Sequence, residues 1–246
     1  MRVHRSSILG FPIILILLTL GCCPSPSKNF PAKNVAHSRP SKFSCPTPQT
    51  RLSENIVEQL KRRFPGENNL EKIGDILRWI RENFKRYRGR GKWVAKQSAQ
   101  EIFISRRLSG CNDWGLLLTA ILRSLGHPVV FMNAAGIEWA KNYRKDPSVE
   151  FSGHAFLEIF INGSWIVLDS VTGEYLKDYD FNDPVIPIPK KRAGERGYFV
   201  YQKGLDHWSL GVKSIKDNEQ IMREFALNYP LDSLIIPNKK VDTLVK

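Results

Sequence analysis

Cysteine is scarce: there are four in 246 residues. Cys22 and Cys23 adjoin, Cys45 stands in a stretch rich in Pro and Ser, and Cys111 is alone in an apolar region. No CxxC pair with matching partners occurs, so the spacing of a zinc site is missing, and neither a metal nor a cofactor is expected. Acids are also few, 24 against 37 Lys and Arg, which gives a formal net charge of +13 and a pI near 9.7. That excess suggests attraction to polyanions, anionic membrane surfaces and acidic wall polymers among them. The charge is scattered, however. No tight basic block is interleaved with aromatics, which speaks against a nucleic-acid partner. Internal repeats are absent. The length allows one sizeable core, and 42% hydrophobic residues is ordinary for a globular chain.

No apolar run reaches the roughly 20 residues that a bilayer crossing needs. The longest, Ile8 to Leu20, follows a start containing Arg2 and Arg5 and ends at Gly21-Cys22-Cys23-Pro24. A basic start, a short apolar run and a small residue before a break read as a secretory signal over 1–21. Leu18-Thr19-Leu20-Gly21-Cys22 resembles a bacterial lipoprotein cleavage box with Cys22 acylated, although such boxes usually place Leu where Thr19 stands. Simple cleavage, a retained anchor or acylation of Cys23 are the alternatives. Export would permit a Cys23–Cys45 disulfide. Residues 22–50 are rich in Pro, Ser, Lys and Asn and read as a flexible tether. The expected location is the cell envelope, with the membrane surface as one partner through the lipid and a protein or peptide substrate as the other.

Residues 51–246 read as one domain with a C-terminal extension. Helices are predicted over 52–64 with Ser53 as cap, over 70–87, over 98–108 with a Ser98/Glu101 capping box, and over 111–125. The last is apolar on most sides, which marks a buried helix. Beyond Pro128 the pattern turns to strands at 129–134, 154–161, 165–170 and 198–203, and a helix is predicted over 216–229. Helices first and an antiparallel sheet afterwards indicate α+β. The stretch 136–153 reads as a long irregular loop. Trp139 and Tyr143 there are candidates for a substrate wall, with Arg144 and Lys145 at its rim.

Three residues carry the chemistry. Cys111 opens the buried helix after Ser109-Gly110. Unpaired N–H groups and the helix dipole there favour a thiolate and can stabilise an oxyanion. Asp113 suits the dipole but repels a thiolate, so it caps the helix or grips the preceding loop. His154 and Asp169 flank a hairpin turning at Asn162-Gly163, eight residues before Asn162 and six after Gly163. They therefore fall near one end of the pair, offset by about two residues, on one face. A carboxylate beside the imidazole fixes its tautomer and supports its cation.

Ser109-Gly110-Cys111-Asn112-Asp113-Trp114 through Gly126-His127-Pro128, Gly153-His154-Ala155-Phe156, and Asn162-Gly163-Ser164-Trp165 up to Asp169 together resemble the transglutaminase-like family. The likeness spans about Leu52 to Thr172. It implies a papain-like α+β core in which a helical N-terminal lobe packs its Cys helix on an antiparallel sheet. It also implies that Cys111 is the nucleophile, His154 the general base and acid, and Asp169 the orienter. Two positions depart from the pattern: Ser170-Val171-Thr172 replaces the usual Pro and Thr, and His127 the usual Ile. Trp93 and Gln97 are candidates for an oxyanion side chain. The expected activity is acyl transfer or hydrolysis at glutamine or peptide amides. The alternative is a catalytically inactive envelope module that keeps the fold.

Overall fold

The computed structural model describes residues 40–67, 69–87, 93–190 and 193–245. The signal segment, Cys22, Cys23 and the basic stretch 88–91 lie outside these.

Six α-helices and a seven-stranded antiparallel sheet form the fold among the described residues. The N-terminal lobe holds α1 (Glu54–Arg63), α2 (Leu70–Asn83), α3 (Ala99–Ser105) and α4 (Cys111–Ser124). The strands are β3 (Val129–Gly136), β4 (Gly153–Ile161), β5 (Ser164–Leu168), β6 (Glu174–Leu176), β7 (Val185–Ile186), β8 (Tyr198–Gly204) and β9 (Asp242–Thr243). They lie in the order β7-β8-β3-β4-β5-β6-β9. A separate parallel pair joins β1 (Lys85–Arg86) to β2 (Arg107–Leu108). Helix α2 therefore ends before the predicted Tyr87. Phe84 turns to an extended backbone and is buried beside Phe103, which draws the chain into β1.

Sheet and helices lock together at β3 and β4. Phe131, Ala155, Leu157 and Ile159 form one apolar cluster with α1 to α4. The alternate residues Val130, Met132, Phe156 and Val167 form another, under Ile186, Ile188 and Tyr198. Gly115 lets α4 lie close on the sheet: a Cβ there would stand 3.0 Å from the Phe131 ring and 3.6 Å from Ala155. That approach falls one helical turn after Cys111 and beside the neighbour of His154. The Ser98/Glu101 capping box forms as predicted, whereas Ser53 stands at the start of α1 without a side-chain cap bond.

Two sequence expectations are corrected here. Residues 40–50, assigned to the tether, belong to the fold: Phe43, Gln49 and Thr50 are buried. The buried Arg123 donates to Phe43 O (2.9 Å), Thr50 Oγ1 (3.4 Å) and Val129 O (2.6 Å), tying this segment to α4 and β3. The stretch 136–153 is no irregular loop either, because Ile137–Lys145 forms α5, packed on α6 (Ile215–Asn228). Trp139 and Tyr143, proposed as a substrate wall, are buried in that packing with Phe151 and Phe225. Arg144, assigned to the rim, donates to Ala226 O (2.6 Å) and to Tyr229 O, at the end of α6.

Helix α5 starts without a local cap. The buried Glu195 fills the role, its carboxylate accepting from the N–H groups of Glu138 (3.0 Å) and Trp139 (3.1 Å). Gly136 makes room, since a Cβ there would meet that carboxyl at 2.2 Å. Gly136→Ala is therefore expected to expel the cap and cost about 2 kcal/mol. Calorimetry should read that as a melting temperature lower by roughly 4–8 °C. An unchanged transition would remove Glu195 as the cap.

Candidate active site

The site forms where the start of α4 meets the first residues of β4. Gly110, extended at φ 174°, delivers the chain into the helix. Asp113 turns back onto Ser109, accepting from its N–H and its hydroxyl, both at 2.7 Å. The carboxylate thus grips the loop that presents Cys111. Burial raises its pKa against the lowering effect of the Ser109 bonds, which lessens its opposition to a nearby thiolate.

The β4–β5 hairpin supplies the partners. Asn162 (φ 49°) and Gly163 (φ 81°) take the left-handed conformations of a two-residue primed turn. The register pairs Leu157 with Leu168. Asp169 therefore comes opposite Phe156 and diagonal to His154, the two-residue offset that the hairpin count predicts. His154 Nε2 lies 2.9 Å from Asp169 Oδ2, and both side chains are almost wholly buried. The approach is off the N–H axis, and neither ring nitrogen has a well-aligned hydrogen bond. Loose geometry of this kind is common in resting sites. Asp169 Oδ1 accepts from Val171 N–H (2.8 Å) and Thr172 N–H (3.3 Å), which fixes the carboxylate from the other side. The His154 ring rests edge-on against Phe156 at 4.7 Å and tilted against Tyr198 at 5.6 Å.

The electrostatics pull the three groups toward their charged forms. Burial alone would push the Cys111 thiol up. The charge and close polar approach of His154, then Lys190 and the backbone N–H of Ala155, outweigh burial and bring the thiol below its ordinary value. Burial likewise presses His154 down. The charges and close polar approach of Asp169 and Cys111 overcome it and raise the imidazole to about 9. For Asp169, burial acts upward, and the His154 charge and the two backbone N–H bonds bring it down. Cys111 as a residue is half-buried at the helix start, with its thiol set among His154, Lys190 and Ala155.

The other candidates fall differently. Trp93 is 38% exposed, on a turn whose Val94 and Ala95 are buried against Val212. Gln97 joins the fold through its carbonyl, which accepts from Gln49 Nε2 at 3.2 Å. Trp208 Nε1 donates to Ala95 O at 2.6 Å and braces the same turn. Three site neighbours had no local signal in the sequence: Tyr198, Glu195 and Lys190. Lys190 and Glu195 close a narrow bridge, with Lys190 N donating to Glu195 O at 2.8 Å. That bridge brings the exposed Lys190 within charge range of the thiol. Among the described residues no group of His, Cys, Asp and Glu could hold a metal ion.

A half-buried cysteine at a helix start, facing a His–Asp pair on a hairpin, is the constellation of a papain-like α+β core. Residues 58–170 match the model of the transglutaminase-like superfamily, and the matched range contains all three residues. No curated protein matches the sequence. A solved structure similar to this chain bears the name "Putative Cysteine Protease", from Cytophaga hutchinsonii. It is 21% identical, with a TM-score of 0.46 over 69% of this chain. This chain covers 48% of that one, about half its length.

Proposed function

We propose that the protein is a cysteine enzyme that opens an amide bond through a thioester on Cys111. The observation that carries this is the buried charge pairing of His154 with both Asp169 and the Cys111 thiol. The thiolate attacks the amide carbonyl carbon. N–H groups in the first turn of α4 face the developing oxyanion. The tetrahedral adduct collapses as His154 passes its proton to the departing nitrogen, leaving the thioester. Water or an amine then attacks, giving its proton to His154, and Cys111 leaves as thiolate.

Product masses test this on protein and wall-peptide substrates. Ammonia lost and water gained marks deamidation, a severed backbone marks a peptidase, and an added amine marks a transferase. If no substrate reacts and the Cys111 thiol titrates at its ordinary value, the reading fails and a binding module remains. We further propose that the enzyme works at the cell envelope, held by lipid on Cys22. This rests on the sequence of 1–23 alone. Fatty-acid labelling of the native chain that is lost in Cys22→Ser supports it, and an unlabelled native chain removes it.

A further inference from the structure

A cleft of about 870 Å3 opens between α1, α2 and α3. Four arginines line it, Arg62, Arg63, Arg78 and Arg106, against two acids, Asp75 and Glu82. Asp75 is already engaged by Arg78. Three aromatics line it, Trp79, Phe64 and Phe103, and with Phe84 they pack edge to face or tilted, centroids 5.5–6.0 Å apart.

Arg106 is the unusual member. It ends α3 in the left-handed conformation, φ 57°, a position that glycine or asparagine normally fills. The chain keeps a bulky residue there, and the result is delivery of its guanidinium onto three rings. Its Cζ lies 4.3 Å from Phe103, 4.6 Å from Phe84 and 5.4 Å from Trp79. The Nη1 of Arg106 is buried without a hydrogen-bond partner. That nitrogen is closed to the cleft as well as to water, and because Arg106 as a whole is half-buried and lines the cleft, its other N–H groups are the ones open to a ligand. Arg63 approaches the same Trp79 ring at 5.6 Å. A guanidinium stacked by its face keeps its N–H edges for an oxyanion.

We propose that this cleft binds a phosphoryl group between Arg63 and Arg106, a binding function beyond the chemistry at Cys111. A carboxylate presents its acceptors in one plane. A tetrahedral phosphoryl group presents them in several directions, as donors arriving from different helices require. The source is either a soluble phosphate or the phosphodiester of a lipid headgroup.

Calorimetric titration of the full chain with inorganic phosphate, at ionic strength held with chloride, tests the proposal. Saturable binding is expected, weakened at least fivefold by Arg63→Gln and by Arg106→Asn. Asparagine tolerates the left-handed backbone, and Arg63→Gln decides the matter alone if the other variant melts. Alkylation of Cys111 should proceed at the native rate in both. Absence of saturable binding, or equal binding by the variants, overturns the proposal. Vesicles of phosphatidylglycerol and of phosphatidylcholine separate the sources. Retention on the former that both variants lose, and that phosphate relieves, assigns the lipid headgroup. Retention indifferent to the variants, with phosphate still bound in the titration, assigns the soluble group.

Discussion

Cys111→Ala is expected to remove turnover, by at least about 10⁴-fold, while leaving the domain folded. The substitution trims a single sulfur from a half-buried helix start at the margin of the apolar cluster, a small loss of packing beside the loss of the His154 contact. Cys45, the other thiol among the described residues, cannot substitute, because it lies in the segment that Arg123 ties to the opposite end of α4. The variant also loses one of the two groups that raise His154, so its imidazole should titrate lower, with Asp169 still supporting it. Turnover assays beside a melting curve check both halves. Retained activity in a folded variant would remove Cys111 as nucleophile.

The second large effect comes from the pair behind the thiol. His154 is raised from 6.5 to about 9, so its charged pairing is fully present below 6.5 and is lost as pH climbs through about 9. Cys111 and Asp169 are lowered, so their contributions fade as pH falls through their depressed values. Turnover should therefore fall away on an alkaline limb near pH 9. His154→Ala should return the thiol toward its ordinary range and cost about 10²–10⁴-fold in turnover. Asp169→Asn acts through the tautomer. Its Oδ1 keeps the Val171 and Thr172 N–H groups, so its NH2 faces Nε2 and leaves the ring's proton on the nitrogen that should receive one. A loss of roughly 10²-fold or more is expected, with the alkaline limb moved to lower pH. Alkylation rates against pH, taken for the native protein and both variants, decide this. A native thiol of ordinary pKa, or an alkaline limb unmoved in Asp169→Asn, contradicts the scheme.

What could be read before the structure was whatever local rules determine. The Asn162-Gly163 turn fixes the hairpin register by itself, and with it the diagonal placement of His154 and Asp169. The capping box of α3 and the apolar surface of α4 are equally local. Helix α5 escaped because its cap is Glu195, 57 residues from Glu138, whose N–H it accepts, and the residue at the helix start is a glycine. Without a cap residue in the sequence, Trp139 and Tyr143 look like aromatics stranded among polar neighbours, when in fact α6 covers them. Residues 40–50 escaped for a similar reason. Their polar composition suggests solvent, but Gln49 is buried by bonding to Gln97, Trp208 and Ala99, all distant in sequence. Lys190 reaches the thiol only through a bridge in a loop marked by prolines, which no periodicity announces.

The three-way grip of Arg123 has a mechanical consequence. Tension on the chain ahead of residue 40 would reach the domain through Phe43 and Thr50, and so through a guanidinium in the last turn of α4. The thiol lies at the other end of that helix, about 18 Å away at 1.5 Å per residue. A third bond of the same guanidinium, to Val129 O at the start of β3, shares the load with the middle of the sheet. Pulling on the N-terminal side is thus shared by a helix end and β3, with Phe43 also packed edge-on against Trp165 of β5.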